Sequence, residues 1–300
     1  MSDAWRAQGE RGNLAAVRLI TWITRNLGHR IGRTLLLPIC GYFIAFAPRA
    51  RRASRAYLER VLATPVGMAQ VFRHFHVFAS TLLDRIEMLS RGGGRFDLRV
   101  HGLPALEVIL ARGRGCLLVG SHLGSVEILR AFGERHRNLT INLVMHEGNA
   151  LANSRWLRQM APELAARIIT PGEAGTLLRV RECLDRGEIV AMLGDRPFGS
   201  ERTTPCDFLG ARARFPSGPM LTASVLGVPV VAFFCLYESD LRYDVHFEVL
   251  AERVELGAGR RDQRDEALVP WVERYVRKLE SHARQAPYNW FNFYDFWQDA

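Results

Sequence analysis

Between residues 53 and 89 apolar positions recur at three- and four-residue spacing with charges between them, which predicts helix. The pattern extends toward the N-terminus, so residues 1–90 read as helical, with Ser54 placed as a helix cap. RGGGRF (91–96) ends this periodicity. Short β-rich runs then take over, at 115–120, 139–146, 166–170, 188–195, 228–237 and 243–250. Helix-like segments at 125–136, 153–165, 173–187 and 216–227 alternate with several of them, and a last helix over 266–284 precedes an aromatic tail. Strands alternating with helices predict an α/β fold: a mixed central sheet flanked by helices, with ligand sites at the carboxyl ends of strands. The final two runs are joined by only a short polar turn and predict an antiparallel pair at an edge.

One stretch of the helical part changes the picture. Residues 35–47, LLLPICGYFIAFA, carry no charge and are bracketed by Arg25, Arg30 and Arg33 before and Arg49, Arg51 and Arg52 after. The run falls short of the roughly 20 apolar residues a bilayer core requires. It lies deep in the chain with no small-residue cleavage site, unlike a signal peptide. Together with the mixed apolar and arginine residues of 19–34 it has the profile of a helix lying in the headgroup region, with a single anchor or a core helix as the alternatives. The chain therefore divides into an N-terminal helical membrane-associating region, 1–90, and an α/β catalytic domain, 91–300.

The formal net charge of +9 comes far more from arginine than from lysine and suits phosphate-bearing or acidic partners. No zinc-finger spacing, RNP-like run or lysine-rich stripe accompanies it, so nucleic acid is not an expected partner. Cys40, Cys116, Cys183, Cys206 and Cys235 are scattered through apolar stretches, without metal-ligand spacing, and read as buried reduced thiols. His74 and His76 point to different helix faces, which suits packing or surface roles better than a metal pair. No metal site is expected.

The candidate chemistry begins where the run CLLV (116–119) passes into GSHLGS (120–125). His122 leaves a strand at the mouth of the sheet, and an imidazole takes up a proton near neutral pH. Glu127, in the first or second turn of the next helix, is placed to bond one ring nitrogen and leave the other as a base. The segment differs from a nucleophile elbow in having histidine at its centre. A base without a protein nucleophile implies that the substrate's own hydroxyl attacks. Water in that role makes a hydrolase the second reading, and a non-catalytic basic membrane-binding protein is the third.

Further along stand GDRPF (194–198), DFLGARARFPSGPMLTAS (207–224), GVPVV (227–231) and RQAPYNWF (284–291). With GSHLGSVE (120–127) and the apolar N-terminal helix, this ordered set resembles the bacterial late lipid A (lauroyl/myristoyl) acyltransferase family of the lysophospholipid acyltransferase superfamily. The resemblance implies an enzyme that moves a fatty acyl group from acyl carrier protein or coenzyme A to a lipid hydroxyl. It implies attachment at the cytoplasmic face of the bacterial inner membrane and no cofactor beyond the thioester co-substrate. It also implies His122 as general base and Glu127 as its orienting carboxylate. Asp195 and Arg196 fall beside the active site, with Arg196 facing a phosphate or oxyanion. Arg212 and Arg214 would meet phosphates of a substrate, Pro216 and Gly218 would shape the neighbouring loop, and Pro229 is architectural. Two stretches depart from the family pattern. Gly-Ser-Val precedes Glu127 in place of Gly-Asn-Trp, and the tail WFNFYDFW (290–297) lacks basic residues. Both point toward a divergent branch acting on another envelope lipid, such as an aryl polyene lipid or a glycolipid. The aromatic tail itself is expected to pack against the core.

Overall fold

A computed structural model describes residues 29–136, 139–145, 167–197, 201–257 and 260–298. The helix expected over 153–165 lies outside them, as do the stretch before residue 29 and Phe198 of GDRPF.

Among the described residues the N-terminal helical pattern forms α1 (His29–Phe46), α2 (Pro48–Leu62) and α3 (Met68–Arg91). Ser54 is not a cap. Helix α2 starts at Pro48, whose fixed φ suits a first turn, and Ser54 is buried inside it. Helix α2 ends on Ala63 at φ 53°, and Pro65 then keeps the chain from running straight into α3. Leu36, Cys40 and Ile44 of α1, four apart, turn inward. Ile31, Leu35, Leu37, Tyr42, Phe43 and Phe46 of the same helix are exposed. Among the described residues no single helix is long and apolar enough to cross a membrane; α1 and α2 qualify only as a pair bent by 99°.

Among the described residues nine strands follow: β1 (Asp97–His101), β2 (Leu117–Gly120), β3 (Ile141–Val144), β4 (Ile168–Ile169), β5 (Ile189–Leu193), β6 (Thr203–Phe208), β7 (Ala211–Pro216), β8 (Val230–Ser239) and β9 (Arg242–Ala251). Between and after them lie α4 (Leu103–Leu110), α5 (Ile128–Arg135), α6 (Thr176–Asp185), α7 (Gly218–Leu226) and α8 (Arg261–Gln285). Seven strands form one mixed sheet in the order β1-β9-β8-β2-β5-β3-β4. Strand β2 is central, parallel to both β5 and β8, and buried throughout, as the unbroken run Leu-Leu-Val requires. Strands β8 and β9 are antiparallel as expected. Strand β9 is not the edge, however, because β1 pairs with it in parallel and takes that position. Asp-Leu-Arg-Val-His alternates exposed and half-buried positions and offers no apolar run to read.

Strands β6 and β7 form a separate hairpin. Its turn places both Leu209 (φ 51°) and Gly210 (φ 77°) in the left-handed region, the form whose twist suits a two-residue hairpin. The sheet divides the core. Leu117, Val119, Val190, Ala232 and Phe234 face a layer that includes Val272 and Tyr275 of α8, Phe208 and Phe215 of the hairpin, Tyr57 of α2, and Trp290. Leu118, Ala191, Val231, Phe233 and Val245 pack with Leu106 of α4 and Phe132 of α5. All five cysteines are buried and unbonded.

Candidate active site

His122 follows directly on the carboxyl end of β2, and Asp195 follows β5, its parallel neighbour. Adjacent parallel strands thus bring together residues far apart in sequence, at the strand ends where α/β sheets bind ligands. His122 Nδ1 lies 2.9 Å from Asp195 Oδ1, and the His122 backbone N–H donates to Asp195 Oδ2 over 3.1 Å. Trp290 Nε1–H donates to the same Oδ2 over 3.0 Å. The Asp195 side chain has no solvent exposure, whereas that of His122 is 32% exposed. Burial alone would push the Asp195 carboxyl up. The His122 ring, Arg196 and the Trp290 N–H outweigh it and hold the group well below the usual carboxylate range. An ionised carboxylate only accepts hydrogen bonds, so the ring presents Nδ1–H to Asp195 and carries its lone pair on Nε2. Among the described residues Nε2 has no protein hydrogen-bond partner.

Glu127 takes a different place from the one expected. It is the N-cap residue of α5, and its carboxylate accepts from Ser125 Oγ over 2.9 Å and pairs with Arg85 of α3, also over 2.9 Å. The carboxylate bonded to the His122 ring is Asp195; no hydrogen bond joins Glu127 to that ring among the described residues. The chain turn at Gly124 separates the two. Its φ is +78°, and a Cβ there would collide with the Cys235 carbonyl of β8. Ser125 N–H donates to that carbonyl, and Ser121 Oγ accepts from Leu123 N–H. Both serines beside His122 are buried.

The tail at 286–298 packs, as expected, and also enters the site. Trp290 is wholly buried, with the rings of Phe296, Tyr57 and Phe208 edge-on at 4.8, 5.0 and 5.2 Å. Phe291 N–H donates to the His122 carbonyl over 3.0 Å, and Gly124 N–H to the Asn289 carbonyl over 2.8 Å. The Asn289 side chain bonds both backbone groups of Tyr237 in β8. Arg196 donates to the Phe291 carbonyl over 2.6 Å, stands 5.2 Å from the Tyr294 ring, and lies 3.8 Å from Asp195. From α8, Tyr275 donates to the Gly120 carbonyl over 2.6 Å. Local sequence pattern does not mark Trp290, Asn289 or Tyr275 as neighbours of His122 and Asp195. The available signal was the indole, since a buried Trp N–H requires an acceptor.

The hydrogen bonds of Arg212 and Arg214 stay within the hairpin: Arg212 pairs with Asp207 over 3.3 Å and Arg214 with Thr203 Oγ1 over 3.2 Å, both on its exposed face. Pro216 is the buried last residue of β7, and a Cβ on Gly218 would meet the Glu201 carboxylate. The link from this segment to the site runs through Phe208 against Trp290. Pro229 accepts from Leu117 N–H at the start of β2, an architectural contact. A cavity of about 310 Å³ opens between the hairpin and α8, lined by Arg202, Thr204, Ser217 and Asp265, and neither His122 nor Asp195 borders it.

No curated protein matches the chain. Residues 13–298 match the family model of the bacterial lipid A biosynthesis acyltransferases, and a match over nearly the whole sequence places this chain in that family as an acyltransferase.

Proposed function

We propose that the chain moves a fatty acyl group from an acyl thioester to a hydroxyl of lipid A or a related envelope glycolipid, with His122 as general base. The observation that carries this reading is the His122–Asp195 pair: a buried carboxylate on Nδ1 and an unpartnered Nε2 on the accessible side. Nε2 takes the proton from the acceptor hydroxyl as its oxygen attacks the thioester carbonyl. The tetrahedral adduct collapses, the C–S bond breaks, and the imidazolium returns the proton to the leaving thiolate. Asp195 stabilises the imidazolium and fixes the tautomer, the part that the resemblance assigns to Glu127. Glu127, tied to Arg85 and Ser125, holds the start of α5 against α3. Arg196, beside Asp195, supplies positive charge for the oxyanion or for an acceptor phosphate.

The family is membrane-associated and implies a lipid acceptor and an acyl donor. Helix α1 supports an interfacial placement on the cytoplasmic face of the inner membrane. It is apolar on both its inward and outward faces, and the exposed Arg49, Arg52 and Arg55 of α2 adjoin it. The donor is an acyl group on acyl carrier protein or coenzyme A, and the basic charge suits the acidic partner in either case.

Purified protein is incubated with labelled acyl carrier protein or acyl-coenzyme A, with and without envelope lipid extract. Label appearing in a lipid, dependent on His122 and on one of the two donors, is the expected result. Free fatty acid released at full rate without acceptor would make the enzyme a hydrolase and overturn the proposal.

A further inference from the structure

A second group of ligand-type side chains stands apart from His122, on the sheet face covered by α8. Asp244 and His246 are two residues apart on β9 and so share a face, and His101 ends β1 in register with His246. Their ligand atoms all lie within 4.8 Å of one another. The rings of His101 and His246 are stacked at 4.4 Å with planes 12° apart. Among the described residues no hydrogen bond or salt bridge engages any of these three side chains, and Asp244 Oδ1 is buried without a partner. A buried carboxylate oxygen lacking a donor is costly and rare. The neighbours do not relieve it. Glu248 is taken by Lys278 and His282 of α8, and Arg99, in register with Asp244, makes no ion pair with it.

The other such cluster among the described residues, His29, Asp84 and Asp240, is different. Two of its three members already share a hydrogen bond, His29 Nε2 with Asp84 over 2.9 Å, Tyr243 donates to Asp84 over 2.8 Å, and Asp240 pairs with Arg33 and lies at ion-pair distance from His29 Nδ1. No such hydrogen bond engages the side chains of His101, Asp244 and His246 among the described residues.

We propose that His101, Asp244 and His246 bind one divalent transition-metal cation of the zinc type, with water completing its coordination. Two imidazoles and one carboxylate suit zinc and its neighbours, whereas magnesium and calcium favour all-oxygen sites. The cation ties edge strand β1 to β9, so its effect is on the stability of that edge rather than on acyl transfer.

Full-length protein without a polyhistidine tag, stripped with a chelator and dialysed, is titrated with Zn²⁺ by calorimetry and with Co²⁺ by visible absorption. One Zn²⁺ per chain, a Co²⁺ spectrum of a nitrogen/oxygen site, and a melting temperature that rises with zinc are expected. Asp244→Asn and His246→Ala should weaken binding at least as much as the roughly 10–100-fold typical of outer-shell changes. Should either fail to fold, His101→Ala, at an exposed strand end, gives the same loss. Absence of saturable binding, or equal affinity in wild type and His101→Ala, overturns the proposal.

Discussion

Asp195 stands 73 residues beyond His122, yet its buried carboxylate meets the ring nitrogen at 2.9 Å and the His122 backbone N–H at 3.1 Å. One residue therefore sets both the tautomer of the His122 ring and the position of the loop that carries it. Asp195→Asn should lower kcat by roughly 10³–10⁴-fold, with a small change in KM, because an amide does not enforce Nδ1–H. Glu127→Gln should cost less, since its partners are Arg85 and Ser125. Steady-state kinetics on the two variants decide the assignment. A Glu127→Gln loss as large as that of Asp195→Asn would return the orienting role to Glu127.

Trp290 separates packing from positioning. Trp290→Phe keeps an aromatic ring among Tyr57, Phe208 and Phe296 but removes the N–H that Asp195 accepts. A hydrogen bond to a charged group is worth about 1.5–3 kcal/mol. We expect kcat to fall by at least ~10-fold while KM changes little, the fold-change that such an energy implies. A lower melting temperature with unchanged kcat would leave Trp290 a purely structural residue.

The central strand and its histidine were legible because both depend on local pattern: an unbroken apolar run for a strand buried on both faces, then a glycine-bounded turn. Asp195 was visible as a residue, but its bond to His122 was not. That contact depends on β5 lying beside β2, which no local spacing records. The hairpin β6–β7 was absorbed into a motif, although Thr-Thr-Pro-Cys-Asp-Phe and Ala-Arg-Ala-Arg-Phe-Pro both alternate in burial around Leu209-Gly210. The tail's sequence signals packing, because its aromatic residues dominate. Its backbone groups, which side-chain patterning cannot report, hold His122 and Gly124.

Gly124 should tolerate no side chain. Gly124→Ala meets both a left-handed φ of +78° and the Cys235 carbonyl, whereas Gly113→Ala has a φ of +82° and open space around it. The left-handed backbone costs about 1–2 kcal/mol in either variant. The excess destabilisation of Gly124→Ala over Gly113→Ala in chemical denaturation therefore measures the collision, and it should be accompanied by loss of activity. Equal effects would mean that the His122 loop can move away from β8.

Helix α1 gives a test of membrane contact that leaves the core alone. Leu37 and Phe46 are 49% and 64% exposed, on an apolar helix adjoining exposed arginines. Replacing both with aspartate should preserve the melting temperature and sharply reduce co-sedimentation with anionic lipid vesicles, because apolar insertion and attraction to the headgroups are both weakened. Unchanged sedimentation would place the contact elsewhere.

His74 should make the fold acid-sensitive. It is fully buried, its Nδ1 facing Ser54 Oγ at 2.8 Å and its Nε2 facing the Trp290 carbonyl at 2.9 Å, so the neutral ring satisfies both partners. Burial pushes its pKa down to about 4, with the Trp290 carbonyl only partly opposing. In the unfolded chain the group takes up its proton near 6.5. Between these values the unfolded state binds more protons, so stability falls as the pH drops from about 6.5 to 4, by about 3 kcal/mol if this group acts alone. In metal-free protein His246, also pushed down to about 4, titrates over the same window from a half-buried position, and burial and then Arg33 push His76 down as well, so the wild-type slope is a composite. The difference between wild type and His74→Gln isolates the first group. Denaturant midpoints at pH 7 and pH 4.5 should lie closer together in the variant, with His246 and His76, whose imidazoles burial also pushes down, contributing to the slope that remains. An unchanged slope would show that His74 takes up its proton in the folded state as readily as in the unfolded chain.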